Sequence, residues 1–298
     1  RVGPKFFFGK CAHCVANHFL VGRQNHGVLL NNKFNYKTIL KKVSKFLLIF
    51  TAYSVVYLPI IIIFLLSINE SKSGQNFTGL SFKWYLEIFQ NERLLKAIMN
   101  TLLVALISTF VATISGTLIA IGINSLSKKR RIEMMILNNV PVVSPDIVTG
   151  ISLMVVFSLL PLSFGFQTML LAHIFFSIPF VVLSVLPKLK ELDPNLFDAA
   201  LDLGCNYFEG IYKVILPSIK TGIITGALIA FTMSIDDFVI SYFTSGNGFQ
   251  NVSLWIYARV GRKSFSPAAY AYNSLIVLLT IGILTYINKI NNKKIKEN

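Results

Sequence analysis

Residues 198–217 read DAALDLGCNYFEGIYKVILP, the most polar stretch in the second half of the chain, with long apolar runs on both sides. Upstream, Asp193 can cap a helix and Pro194 can sit in its first turn. Leu196, Ala199, Ala200 and Leu203 then recur at helical spacing and predict one small, apolar face. Gly204 is positioned to end that helix. Asn206, with Glu209 three residues on, can open a second one. Phe208, Ile211, Tyr212 and Ile215 give the second helix its own apolar face, and Pro217 limits it. Such a pair has little to bury against in its own chain. It reads either as a docking element for another protein or as an amphipathic hairpin on a lipid surface.

The flanking runs decide the class. Of 298 residues, 54% are hydrophobic and 14% charged, and the mean hydropathy is +0.63. Several runs are long enough to cross a bilayer. They are continuous rather than alternating, which argues against a barrel. An all-α integral membrane protein is expected, because helices satisfy their own backbone in lipid.

Six transmembrane helices are predicted, within residues 46–288. Span one covers about 46–68 and span two about 97–123, where Ala112, Gly116, Ala120 and Gly122 offer small residues for close helix packing. Span three is broken by Pro141 and Pro145, and reads as a short lead-in followed by a helix from about 146. Span four covers about 166–187, with a kink expected at Pro179. Spans five and six cover about 221–243 and 268–288. The loop 69–96 carries Phe82, Trp84, Tyr85 and Phe89, an aromatic face suited to the outer interface.

Charge fixes the expected orientation. Residues 1–45 form a basic extension with nine Lys or Arg and no acid, and 289–298 form a basic tail. With both termini cytoplasmic, 21 of the 28 basic residues fall inside, including Lys128, Lys129, Arg130 and Arg131. The segment 188–220, between spans four and five, is then cytoplasmic. Arg259, Arg262 and Lys263 are a local exception, outside by parity. The net charge of +15 therefore reports orientation, and no nucleic-acid partner is expected.

Three acids fall within spans: Asp146, Asp236 and Asp237. No Lys or Arg in a span can pair with them, so each should face protein or a water path. Asp236 stands about fifteen residues into span five, roughly 22 Å from its cytoplasmic start. In a continuous helix Asp236 and Asp237 point about 100° apart, so at most one looks squarely down a path. Thr232, Ser234, Ser241 and Tyr242 add polar groups nearby. A cation conduit and a structural, helix-capping role are both open readings for this pair. Asp146, following Pro145, is expected to cap span three.

Nothing in the sequence reads as an enzyme. No GxxxxGK loop, GxSxG or HExxH is present. Cys11, His13, Cys14 and His18 resemble half a metal site, but no second cysteine pair follows, and no metal is expected. His173, alone in an apolar span, reads as a packing or hydrogen-bonding residue.

The segment Asp198-Ala199-Ala200, three residues, Gly204, nine residues, Val214-Ile215-Leu216-Pro217 resembles the signature loop of inner-membrane permease subunits of ATP-binding-cassette importers. Asp198 stands where that family usually has Glu, and Val214 where it usually has Ile; both changes keep charge or shape. The likeness covers about residues 40–290, and residues 1–32 look foreign to it. It is greatest to the spermidine/putrescine members, through residues 144–153, Leu192-Asp193-Pro194 and residues 231–243. The resemblance implies that Asp198, Ala199, Ala200, Gly204, Leu216 and Pro217 couple to a separate P-loop ATPase, in two copies, which uses ATP and Mg while this chain binds no cofactor. It also implies a second homologous permease subunit and an extracytoplasmic binding protein or lipoprotein. The setting is a bacterial plasma membrane and its lipid. Asp236 and Asp237 would then line the path of a polyamine. Rival expectations are an importer of another small cationic or metal-containing substrate, and an ATP-independent channel or scaffold.

Overall fold

The computed structural model describes residues 36–71, 76–193, 195–246, 248–260 and 267–297. Cys11, His13, Cys14, His18, Pro194, Arg262 and Lys263 lie outside them. Apart from one isolated bridge between Asn69 and Leu80, every regular element described is helical.

The elements are α1 (Tyr36–Ser67), α2 (Lys83–Gln90), α3 (Glu92–Ser125), α4 (Lys128–Val143), α5 (Asp146–Leu159), α6 (Phe166–Glu191), α7 (Asn195–Asp202), α8 (Tyr207–Ser218), α9 (Lys220–Asp236), α10 (Val239–Thr244), α11 (Val252–Tyr257) and α12 (Ala268–Glu297). The chain divides into two units at Leu58–Pro59, and all of α2 to α12 belongs to the second. Three helical stretches, Val43–Ser67, Glu92–Ser125 and Phe166–Glu191, are long and apolar enough to cross a membrane alone. Two bent pairs add to them: α4 with α5 at 101°, and α8 with α9 at 72°.

The centre of the second unit is α6, and over half of its apolar window is buried. Small residues let its neighbours approach. On α9, Gly222, Gly226, Ala230 and Ser234 recur every fourth position and are all buried. A Cβ on Gly226 would come within 3.1 Å of the Val181 backbone. On α3, Ala112, Gly116 and Ala120 are buried as expected, and a Cβ on Gly116 would meet Val181 at 2.7 Å. Gly122 differs from expectation: it is exposed, and nothing lies within 4 Å of its Cβ position.

Two further expectations are corrected. The lead-in to span three is a full helix, α4, which begins in the basic run at Lys128. Arg131 ties that start to α3 by donating to the carbonyl of Asn124. Trp84 is 2% exposed and does not lie on an exposed aromatic face. Its indole N–H donates to the Asn69 carbonyl at 2.5 Å, and it packs with Leu94, Trp255 and Ala268, while Phe82 and Phe89 remain exposed. A polar indole edge finds a backbone acceptor here, so burial costs little.

Candidate functional site

The signature segment folds as two short helices with locally encoded ends. The Asp193 carboxylate accepts from the Asn195 N–H at 2.9 Å, which starts α7. Gly204 has φ +87° and closes it. The Cys205 N–H bonds the Ala200 carbonyl and the Gly204 N–H bonds that of Leu201, the paired bonds of a glycine-terminated helix. The Glu209 carboxylate then accepts from the Asn206 N–H at 3.0 Å and from Lys213 Nζ at 2.9 Å. Those two hydrogen bonds, and the charge of Lys213, hold the Glu209 carboxyl below the usual carboxylate range. Residues Ile211–Ile215 of α8 form a π-helical turn, and the helix ends at Ser218, one residue after Pro217.

The apolar face expected over Leu196, Ala199, Ala200 and Leu203 is divided. Only Ala200 is buried, Leu196 is partly so, and Ala199 is exposed. Leu203 is 87% exposed, and Phe208 on α8 is 83% exposed. The two helices meet instead through Phe197, whose ring packs edge-on to Tyr207 and leaves no room for a Cβ on Gly210. Asp198, Gly204 and Pro217 are exposed, and Leu216 is partly buried.

The three in-span acids come together. Asp146, Asp236 and Asp237 line one cavity of about 380 Å3, walled by Pro141, Phe176, Phe180, Met233 and Phe238. Their backbone arrangement differs from the expected one. Helix α9 stops at Asp236, and Asp237 is extended (φ −60°, ψ 129°). The two acids are thus not neighbours on one continuous helix, and the 100° offset does not apply. The carboxylate of Asp237 caps α10, with Oδ1 3.3 Å from the Ile240 N–H and Oδ2 2.7 Å from the Ser241 N–H. Its side chain is only 10% exposed, whereas Asp236 is exposed. Asp146 is not a cap: Pro145 occupies the cap position, and the Asp146 side chain makes no capping hydrogen bond. As the first residue of α5 it still stands where the helix dipole favours an anion.

A buried polar network holds the break between α9 and α10. His173, 1% exposed, sits with Nδ1 2.6 Å from Ser234 Oγ and Nε2 3.0 Å from Ser241 Oγ. It therefore bridges the two sides of the break. Asn251 donates from Nδ2 to Ser241 Oγ at 2.9 Å and to the Asp237 carbonyl at 3.0 Å. Ser108 on α3 lies 3.2 Å from Ser234 Oγ. Buried polar groups must be paired, and these pair with one another. Asn251 has no helical periodicity in the sequence, so only its cap-like position before α11 hinted at a role. Thr232 points elsewhere, donating to the Leu228 carbonyl.

Among the described residues no group of three or more His, Cys, Asp or Glu could hold a metal. A helical chain with several stretches long and apolar enough to cross a bilayer has the build of a multi-pass membrane protein.

Comparison with known proteins gives the family. A model described as "Binding-protein-dependent transport system inner membrane component" matches residues 112–297, and the chain belongs to that family. It is an inner-membrane permease of the ATP-binding-cassette type. It is 35% identical over 246 residues to the spermidine/putrescine transport system permease protein PotC of Escherichia coli K12, covering 83% of this chain and 93% of that one. It is 30% identical to a PotC homolog of Mycoplasma genitalium, over 89% and 96% of the two chains. The putrescine transport system permease protein PotI of E. coli K12 is also 30% identical, over 82% and 88%. A solved bacterial ABC transporter involved in alginate import shares the fold, with a TM-score of 0.65 at 16% identity over 87% of this chain and 98% of that one.

Proposed function

We propose that this chain is the membrane permease subunit of an ATP-driven importer of polyamines such as spermidine and putrescine. The observation that carries the reading is the convergence of Asp146, Asp236 and Asp237 on one cavity with aromatic walls. A polyamine is a slender chain of methylenes bearing ammonium groups. Carboxylates offset the cost of removing those ammoniums from water, and the rings of Phe176, Phe180 and Phe238 suit the methylenes. Few charges suit a transport site, which must release its cargo. The polyamine names of the 35% and 30% identical relatives support the same cargo.

The three long helices, the bent pair α4–α5, helix α9 with α10 and the apolar stretch Ala268–Gly282 are read as six spans, with both termini cytoplasmic. The segment 188–220 is read as the coupling loop. Its exposed Leu203, Phe208 and Tyr212, next to Ala199, offer an unfilled apolar surface for an ATPase subunit. Two ATPase copies, which would use ATP and Mg, a second permease subunit and an extracytoplasmic binding protein complete the assembly. ATP-driven closure of the ATPase pair moves the loop, the spans tilt, and the acid-lined cavity opens outward to receive cargo.

The test is energised uptake of labelled spermidine by cells with and without this chain, its partner subunits intact and redundant importers deleted. Uptake that depends on the chain and falls in Asp236→Asn, with the ATPase still bound, is expected. Full uptake without the chain overturns the polyamine reading. Chain-dependent uptake of a different small cation, and not of spermidine, would replace it with another cargo.

A further inference from the structure

His173 of α6 is buried behind the acid-lined cavity, with its ring centroid 5.2 Å from that of Phe176, a residue of the cavity wall. Its two nitrogens sit in the middle of a chain of hydroxyls whose ends cannot reverse. At one end Asn251 Oδ1 accepts from the Leu254 N–H at 2.9 Å, so Nδ2 is the atom that faces Ser241 Oγ, and an amide nitrogen only donates. At the other end Ser108 Oγ donates to the Ala105 carbonyl at 3.2 Å, and a carbonyl only accepts.

Those ends give every proton between them a direction. Ser108, its proton committed to Ala105, accepts from Ser234 Oγ at 3.2 Å. Ser234 in turn accepts from His173 Nδ1 at 2.6 Å. The imidazole therefore carries its proton on Nδ1, and Nε2 is an acceptor. Ser241, which accepts from Asn251, donates its one proton to Nε2 at 3.0 Å. That proton has a competing acceptor in the Asp237 carboxylate, which already takes the Ile240 and Ser241 N–H groups. A third donor would draw the carboxylate's charge further into the protein's own hydrogen bonds and leave less of it for a cation in the cavity.

We propose that His173 is a positioning residue for cargo binding: as an acceptor at Nε2 it holds the Ser241 hydroxyl off Asp237 and keeps that carboxylate available to an ammonium group. Being buried, the imidazole touches no cargo. It acts on affinity through the proton of one hydroxyl, apart from its part in holding the helix break. The inference rests on the importer reading above only in taking the cargo to be a small cation.

The test is chain-dependent uptake of labelled spermidine in His173→Phe, Ser241→Ala and the double variant. Phenylalanine keeps a ring beside Phe176 and removes the acceptor, so the Ser241 hydroxyl turns to Asp237 and the apparent KM should rise about tenfold. Adding Ser241→Ala removes the competing hydroxyl and should return the apparent KM to within about twofold of wild type. A loss of packing at position 173 would not be rescued in this way. Association with the ATPase subunit reports that each variant folds. A wild-type KM in His173→Phe, or a raised one that Ser241→Ala does not lower, would overturn the proposal. If a variant does not assemble, the wild-type complex in nanodiscs decides. The magnetic-resonance shifts of the His173 ring nitrogens should report a proton on Nδ1, and a proton on Nε2 would overturn the proposal. Wild-type uptake of a different small cation would replace the cargo, and the same variants would be read with that cation.

Discussion

His173 Nε2 lies 3.6 Å from Asp237 Oδ2, with the histidine fully buried on α6 and the carboxylate at the end of α9. Both also meet Ser241, through its hydroxyl and its backbone N–H. The imidazole bridges Ser234 and Ser241 across a point where the chain has left helical geometry. His173→Ala should leave two buried hydroxyls short of a partner, at a cost of about 1–3 kcal/mol. The thermal midpoint of the purified complex should then fall by about 2–10 °C. A midpoint equal to that of the wild type would mean that the network contributes nothing to holding the break.

Asp236 and Asp237 line the same cavity but differ in what they hold. Asp237 accepts two backbone N–H groups, while Asp236 is exposed and has no such task. Asp237→Ala should cost about 0.5–2 kcal/mol of stability, and Asp237→Asn, which keeps a capping oxygen, much less. Asp236→Asn and Asp236→Ala should leave stability unchanged and raise the apparent KM for spermidine uptake. Melting curves set beside uptake kinetics separate the two roles. Equal loss of stability in Asp236→Ala would remove the distinction.

These two acids show where sequence stops being informative. The helix ends at Asp193, Gly204 and Asn206–Glu209 were legible because each is made by groups within five residues of one another. That the chain is built of several long apolar helices was legible from composition. The break after Asp236 was not. Neither Gly nor Pro stands there, and the partners that fix it, His173 and Asn251, come from other elements. For the same reason Asp146, read alone, suggested a cap, and only the packing of α5 against α10 brings it to the cavity of Asp236. A ring of Phe243 fits against α5 because position 150 is glycine: a Cβ there would stand 2.8 Å from it. Trp84 was misread because an aromatic run in a loop does not reveal that an Asn69 carbonyl awaits its indole.

Two glycines of α3 should respond in opposite directions. Gly116→Ala puts a methyl 2.7 Å from Val181 Cβ, in contact with the buried face of α6. Overpacking of this kind costs about 1–3 kcal/mol. Gly122→Ala meets nothing within 4 Å and should gain about 0.5–1 kcal/mol from reduced backbone freedom. Thermal unfolding of the two variants side by side checks the packing of α3 on α6. A stabilised Gly116→Ala would contradict it.

The hairpin proposed to couple to the ATPase offers a test in which two adjacent alanines part company. Ala200 is buried within the hairpin, so Ala200→Trp should disrupt the hairpin itself and lower stability as well as ATPase association. Ala199 is exposed, so Ala199→Trp should leave the fold and its melting midpoint intact while weakening ATPase-subunit association by about tenfold or more. The pH dependence of that association follows from the end of the hairpin. Glu209 is held below the usual carboxylate range by the Asn206 N–H and by Lys213, and Lys213 is held above the usual lysine range by Glu209. The carboxylate's contribution is complete above its unfolded pKa and is lost only as pH falls through its lowered folded value. The lysine's is complete below its unfolded pKa and is lost only as pH rises through its raised folded value. Association should therefore be flat from about pH 6 to 9. Glu209→Ala, which removes both the cap and the ion pair, should weaken association at every pH in that window. If Ala199→Trp and Glu209→Ala both bind ATPase as the wild type does, the hairpin is a lipid-surface element, and coupling must run through another part of the chain.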